Sequence, residues 1–302
     1  MNVPLLLFIS ALVSLGARAF SKLSSDIVVG RSKAKYALFY AINSTVACIF
    51  FIVADGFRVE LNLLTFIYSF IFALLVAASL FVSLWMLKLA TISGANILSN
   101  SFSLVLSSAM GFLAFSEELT AIKLIRIALM ILAAVFVFID EGRKSEQKSA
   151  KNSGLCALLR LGLAVTVSAV ISCLVTLVTK LYTDSDAVAS DNSFFFWSNA
   201  VLLVGSLMLI AFLLIKEKSS LIDSLSLLRP RKLISLAGNT VCSNVGSVVA
   251  LLLVTQMDLS VYTPVASAIG VIVAVIASVI FREKLGIFSY LAAAVACAAV
   301  II

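Results

Sequence analysis

Apolar residues along this chain gather into ten runs of roughly 17 to 25 residues, at 3–20, 36–54, 63–87, 93–115, 121–139, 155–179, 194–215, 233–256, 259–281 and 285–302. Each run is long enough to cross about 30 Å of hydrocarbon as a helix. Charge collects between the runs: all fifteen acidic residues lie outside them or at their ends. A bilayer offers no water to loose backbone groups, so this pattern predicts an all-α integral membrane fold of ten transmembrane helices with short interfacial connections. The segment 140–154, DEGRKSEQKSAKNSG, has the composition of a linker and lies near the midpoint. It divides the chain into a five-helix half at 1–141, a polar linker at 142–154 and a second five-helix half at 155–302.

The two halves match one another. ISALVSLGARAFSKLSSD at 9–26 lies over VSAVISCLVTLVTKLYTD at 167–184, with Ser10, Ser14, Lys22 and Asp26 facing Ser168, Ser172, Lys180 and Asp184. FSEEL at 115–119 and FREKL at 281–285 occupy equivalent turns before the fifth and tenth predicted spans. Two polar-anchored matches in the same helix order point to internal duplication. An odd number of crossings per repeat makes the second repeat insert upside down, giving two inverted five-helix repeats.

Composition agrees and removes several alternatives. The chain is 62% hydrophobic and 12% charged, far from the roughly 45–50% and 25% of a soluble domain. Its net charge of +7 sits in short loops rather than in an aromatic-interleaved patch, so no nucleic-acid partner is expected. Cys48, Cys156, Cys173, Cys242 and Cys297 lie in apolar runs or at their ends without metal or disulfide spacing, and read as small core residues. Histidine is absent, and neither HExxH nor GxSxG occurs. No enzyme, cofactor or metal is expected. The start of the chain looks like a signal-peptide core followed by Ala17, Arg18 and Ala19, but lacks the positive n-region, so cleavage is not expected.

PVASAIGVIVAVIASVIFREKL at 264–285 and its weaker counterpart ILSNSFSLVLSSAMGFLAFSEEL at 97–119 resemble the drug/metabolite transporter superfamily, specifically its EamA-like ten-helix proteins. In that family the fourth helix of each repeat runs into a short turn bearing a glutamate, a place taken here by Glu117 and Glu283. The turns depart from the family pattern at Ser116, where glycine is usual, and at Arg282. The resemblance implies a transporter in which the first, third, fourth, sixth, eighth and ninth helices surround the solute.

Polar side chains inside the spans carry a cost in lipid unless they find a partner or face water. Those near mid-depth are Ser14, Asn43, Asn96, Asn100, Ser172, Asn199, Asn239 and Asn244. The resemblance favours Ser14, Asn96, Asn100, Ser172, Asn239 and Asn244 as the substrate cavity; helix-to-helix hydrogen bonding is the alternative role for each. Small residues repeat every four positions through Ser103, Ser107 and Gly111 in the fourth span and through Gly270 and Ala274 in the ninth, which Pro264 begins. These are expected to pack helices closely or to act as hinges. Arg18 lies about a turn inside the first span, where it snorkels to the interface or attracts an anion.

No acidic residue lies deep in any span, which favours facilitated diffusion over proton-coupled antiport. Of the 22 Lys and Arg residues, sixteen fall in loops after odd-numbered spans, and the other side holds four, Arg58, Lys123, Arg126 and Lys180. The positive-inside rule then puts both termini outside a cytoplasmic membrane, whereas the family resemblance implies termini inside. The expected activity is movement of a small solute, a metabolite or amino-acid-like molecule, by alternating access, with the lipid bilayer and that solute as partners. A non-transporting membrane scaffold and a lipid-precursor translocase are the alternatives.

Overall fold

Where an apolar run leaves backbone groups no water to bond, the chain satisfies them within the run, and among the described residues of the computed structural model nine of the predicted spans are α-helices. They are α1 (Val3–Val28), α2 (Lys33–Ala54), α3 (Leu63–Leu87), α4 (Ala121–Lys148), α5 (Gly154–Thr183), α6 (Asp191–Lys216), α7 (Pro230–Gln256), α8 (Leu259–Ile280) and α9 (Ile287–Ile301). The structure describes residues 3–28, 33–87, 102–103, 106, 109, 120–148, 154–185, 189–216, 230–257, 259–280 and 286–301, and no strand occurs among them. Most of the fourth predicted span, both glutamate turns and the end of the linker lie outside the described residues.

Among the described residues four stretches, Ala37–Ala54, Leu159–Thr183, Asp191–Ile215 and Lys232–Gln256, are long and apolar enough to cross a membrane. At about 1.5 Å rise per residue the 25-residue stretches exceed the roughly 30 Å of hydrocarbon, and the chain is a membrane protein. α4 continues to Lys148, seven residues into the stretch expected as linker from residue 142. The reason is local: Glu141, Arg143, Lys144, Glu146, Gln147 and Lys148 are strong helix formers, and the lone Gly142 does not outweigh them.

The helices form two compact units, each drawing on both predicted halves. One comprises Met1–Ala11, Leu75–Lys180 and Leu252–Ile302. Its core is built from Met130 and Ala133 of α4, Leu161 and Ala164 of α5, Ala268 and Val271 of α8, and Ala292 and Ala299 of α9. Alanine at five of these eight positions lets the helices approach closely. Phe136 of α4 meets Phe288 of α9 at a ring separation of 6.2 Å. The buried residues precede Phe136 on α4 and follow Phe288 on α9, so these two helices run antiparallel.

The other unit comprises Leu12–Leu74 and Leu181–Leu251. Here α2 and α6 run antiparallel along their length: Ala37 packs on Leu213 near one end, and Phe51 stacks on Phe195 at 5.3 Å near the other. α3 packs on the start of α6, with Thr65 accepting from the Ala189 amide at 2.9 Å and Ser69 donating to the Phe194 carbonyl at 2.9 Å. Tyr182, fully buried, stacks on Phe194 at 4.3 Å and donates its hydroxyl to the Ala189 carbonyl at 2.7 Å.

A polar clasp closes this end. α2 stops at Gly56 and Phe57, whose φ angles of 60° and 63° turn the chain left-handed, and the Phe57 amide bonds back to the Ile52 carbonyl at 2.9 Å. That turn brings the Asp55 carboxylate to the start of α6, where it accepts from Ser190 at 3.2 Å and from Asn192 and Ser193 at 3.3 Å. Ser190 also caps the helix, its Oγ accepting from the Ser193 amide at 3.2 Å. A carboxylate here complements the positive end of the α6 dipole. Trp197 adds a bond from Nε1 to the Glu60 carbonyl at 3.0 Å, the geometry expected of an interfacial tryptophan.

Candidate functional site

α7 carries polar residues well inside its apolar run, GNTVCSNVGS at 238–247. Its neighbours fix which side chain faces where. On α1, Val13, Gly16 and Phe20 meet Gly246, Cys242 and Gly238, so the two helices run antiparallel. A Cβ on Gly16 would stand 3.2 Å from Cys242 Sγ, and one on Gly238 would stand 2.9 Å from the Phe20 ring. Ser235 donates to the Phe20 carbonyl at 3.2 Å on the same side. Gly238, Cys242 and Gly246 thus form a small-residue seam with α1.

The opposite side of α7 faces α2. Thr240 Oγ1 lies 2.5 Å from Asn43 Oδ1 and 2.9 Å from its own Leu236 carbonyl. One hydroxyl proton cannot serve both acceptors; with the Asn43 amide turned, its Nδ2 donates to Thr240 while the hydroxyl keeps the Leu236 bond. Leu251 of α7 joins the cluster of Phe51 and Phe195, so α2 and α7 run parallel. Asn244, one turn beyond Thr240, is 8% exposed, and its Nδ2 has no hydrogen-bond partner. In a double-mutant cycle, Asn43→Leu and Thr240→Val should show a coupling of about 0.6–1.7 kcal/mol on unfolding of the purified protein. Additive losses would remove the pair from the list of helix-to-helix ties.

Between these two sides α7 presents two unlike flanks. At about 100° per residue, Asn239, Ser243 and Ser247 fall about 60–140° round from the α1 seam on one flank. Ser243 is exposed and its companions half-buried, and Ser247 bonds back to the Ser243 carbonyl at 3.1 Å. The other flank is apolar, with Ile234 69% and Val241 39% exposed. On α1 the same reckoning puts Ser14 about 130° round from the seam on one flank and Leu12, 53% exposed, on the other. Because the helices are antiparallel, equal rotations carry both toward one side of the seam: Ser14 shares its side with Asn239, Ser243 and Ser247, and Leu12 with Ile234 and Val241. The Val13–Gly246 contact sets Ser14 level with Ser243 and Ser247. The pair therefore has a polar accessible side and a lipid-like side.

Of the residues expected to line a cavity, Ser14 and Asn239 lie on the polar side, and Asn244 lies at its buried margin facing α2. Ser172 is half-buried on α5 in the other unit, its carbonyl accepting from Thr176 at 2.9 Å. Asn96, Asn100, Ser107 and Gly111 lie outside the described residues, whereas Ser103 is helical and half-buried. Gly270 is half-buried on α8, which also carries Pro264 and Ala274, and Arg18 lies on the helical backbone of α1. Asn43, set aside on the resemblance, proves to be the partner of Thr240, while Asn199 donates to the Phe195 carbonyl of its own helix at 2.8 Å. Ser243 and Ser247 join this side from outside the expected cavity set, although their spacing of four from Asn239 is readable in the sequence. Among the described residues no group of His, Cys, Asp and Glu could hold a metal ion.

No family model and no curated protein matches the sequence. A protein of known crystal structure superposes over 96% of this chain and 96% of its own with a TM-score of 0.57, at 14% sequence identity. The chain shares the fold of that protein.

Proposed function

We propose that this protein is a ten-span carrier of two inverted five-helix repeats in the cytoplasmic membrane, moving a small solute by alternating access past the polar side of the α1–α7 pair. The observation that carries the reading is the two-sidedness of α7. A membrane helix with an apolar flank open to lipid keeps an exposed Ser243 on its other flank only where water reaches it. Ser14, Asn239, Ser243 and Ser247 form that wettable strip, and it carries no acidic side chain.

Helix directions support the span count. Numbered as predicted spans, α1 and α7 are the first and eighth and run antiparallel; α2 and α7, the second and eighth, run parallel. α2 and α6, the second and seventh, run antiparallel. Each direction is the one that strict alternation across a bilayer requires. Alternation also brings the loops after the second and sixth spans to one side, where the Asp55 clasp joins them. By the charge count that side is extracytoplasmic.

Cysteine accessibility tests the reading. With the five native cysteines replaced, Ser243→Cys and Ser247→Cys should react with a membrane-impermeant thiol reagent, and Ile234→Cys and Val241→Cys should not. Equal protection of all four would leave a helix packed in lipid and protein, as a scaffold requires, and the carrier reading would fall.

A further inference from the structure

The polar side of α7 does not end at its accessible rim. Round the helix, Asn239, Ser243, Ser247, Thr240 and Asn244 make one continuous arc of about 140°, from the exposed flank to the surface buried against α2. Thr240 is satisfied within that surface, by Asn43 and by the Leu236 carbonyl. Asn244 is not: it is more than nine-tenths buried, yet its Nδ2 has no partner. A buried amide left unpaired costs free energy and persists where something else occupies it. Ser247 lies three residues on, about 60° round toward the open flank, so the nearest wettable position to the unpaired amide is that flank.

The charge balance narrows what could fill the place. After Lys232 in its first turn α7 carries no charged residue, and the strip beside it is hydroxyl and amide throughout. An ion drawn into such a surface loses hydration without gaining a counter-charge, whereas an uncharged solute exchanges water hydrogen bonds for hydroxyl and amide ones. A hydroxyl group both donates and accepts, so it answers the Asn244 amide whichever way that amide is turned.

Resting on the carrier reading above, we infer that the solute is an uncharged, hydroxyl-rich molecule of the polyol or sugar class, and that Asn244 is its buried specificity contact, with Ser14, Asn239, Ser243 and Ser247 forming the approach. Asn244 is thereby a binding residue, not a tie between α2 and α7. The opposing chemistry is an anion drawn by Arg18, four residues along α1 from Ser14.

The test is counterflow in proteoliposomes made from the full chain, with myo-inositol, erythritol, N-acetylglucosamine, succinate and lysine as labelled probes, run beside thermal unfolding of the same protein. Uptake of the uncharged probes over both ions is expected. Asn244→Leu, close in volume, should weaken the half-saturating concentration for those probes about tenfold, the loss of one buried hydrogen bond. The same variant should unfold at a higher temperature than the parent without solute, because an unpaired amide has been removed; a structural tie would move it the other way. Asn244→Gln, which keeps the amide, should retain more affinity than Asn244→Leu. Uptake of succinate or lysine alone would overturn the solute class and leave the carrier intact. Uptake of the uncharged probes with an unchanged half-saturating concentration in Asn244→Leu would overturn the role of Asn244. Movement of no probe would overturn carrier and inference together.

Discussion

Replacing Tyr182 with alanine is expected to destabilise the protein by about 3–5 kcal/mol, the range for deleting a fully buried aromatic ring. Tyr182 is 0% exposed, stacks on Phe194 at 4.3 Å and meets Tyr68 edge-on at 5.9 Å, so its removal opens a cavity among rings that cannot collapse into it. The hydroxyl adds a second loss, since it donates to the Ala189 carbonyl at 2.7 Å, with the Ser190 carbonyl 3.1 Å away, just before α6 begins. Tyr182→Phe separates the two contributions and should cost only about 1–2 kcal/mol. Thermal unfolding in one detergent measures both. A loss below about 1 kcal/mol in Tyr182→Ala would mean that the ring cluster does not hold α3, α5 and α6 together at this end.

The same cluster shows what could be read from the sequence and what could not. Helix positions were legible because a membrane span is specified locally: the predicted run 63–87 coincides with α3, and 259–281 with α8 to within one residue. Ends were less legible. α2 begins at Lys33, α7 at Pro230, and α4 runs on to Lys148, because a helix outside the hydrocarbon is governed by propensity and capping, which hydropathy does not weigh. Pairings were least legible. Asp55 and Ser190 are 135 residues apart and Asn43 and Thr240 are 197 apart, and nothing in either neighbourhood names the other. Asn239 and Asn244 look alike in sequence as mid-span asparagines, yet their five-residue spacing sets them about 140° apart on the helix, one at the open flank and one buried. Only the contacts with α1 and α2 tell which is which.

Gly16→Leu is expected to destabilise the protein by about 1–3 kcal/mol and to abolish uptake, because it forces α1 off α7. A Cβ alone would sit 3.2 Å from Cys242 Sγ, and the leucine branch beyond it has nowhere to go along a seam that Gly238 and Gly246 also keep narrow. Function should suffer more than stability, since Ser14 shares one flank with Ser243 and Ser247 only while this register holds, and a shift of about 1 Å in a binding surface is costly. Steric origin makes the effect reversible: Cys242→Gly in the Gly16→Leu background should recover part of both losses, although neither substitution alone improves the parent. Gly205 and Gly162 provide the contrast, for a Cβ at either meets nothing within 4 Å. Gly205→Ala in α6 should be neutral or stabilise by up to about 1 kcal/mol, as helix propensity alone dictates. If Gly16→Leu behaved like Gly205→Ala, with unchanged melting and uptake, α1 and α7 would not be in close contact, and the shared polar side derived from that contact would have to be abandoned.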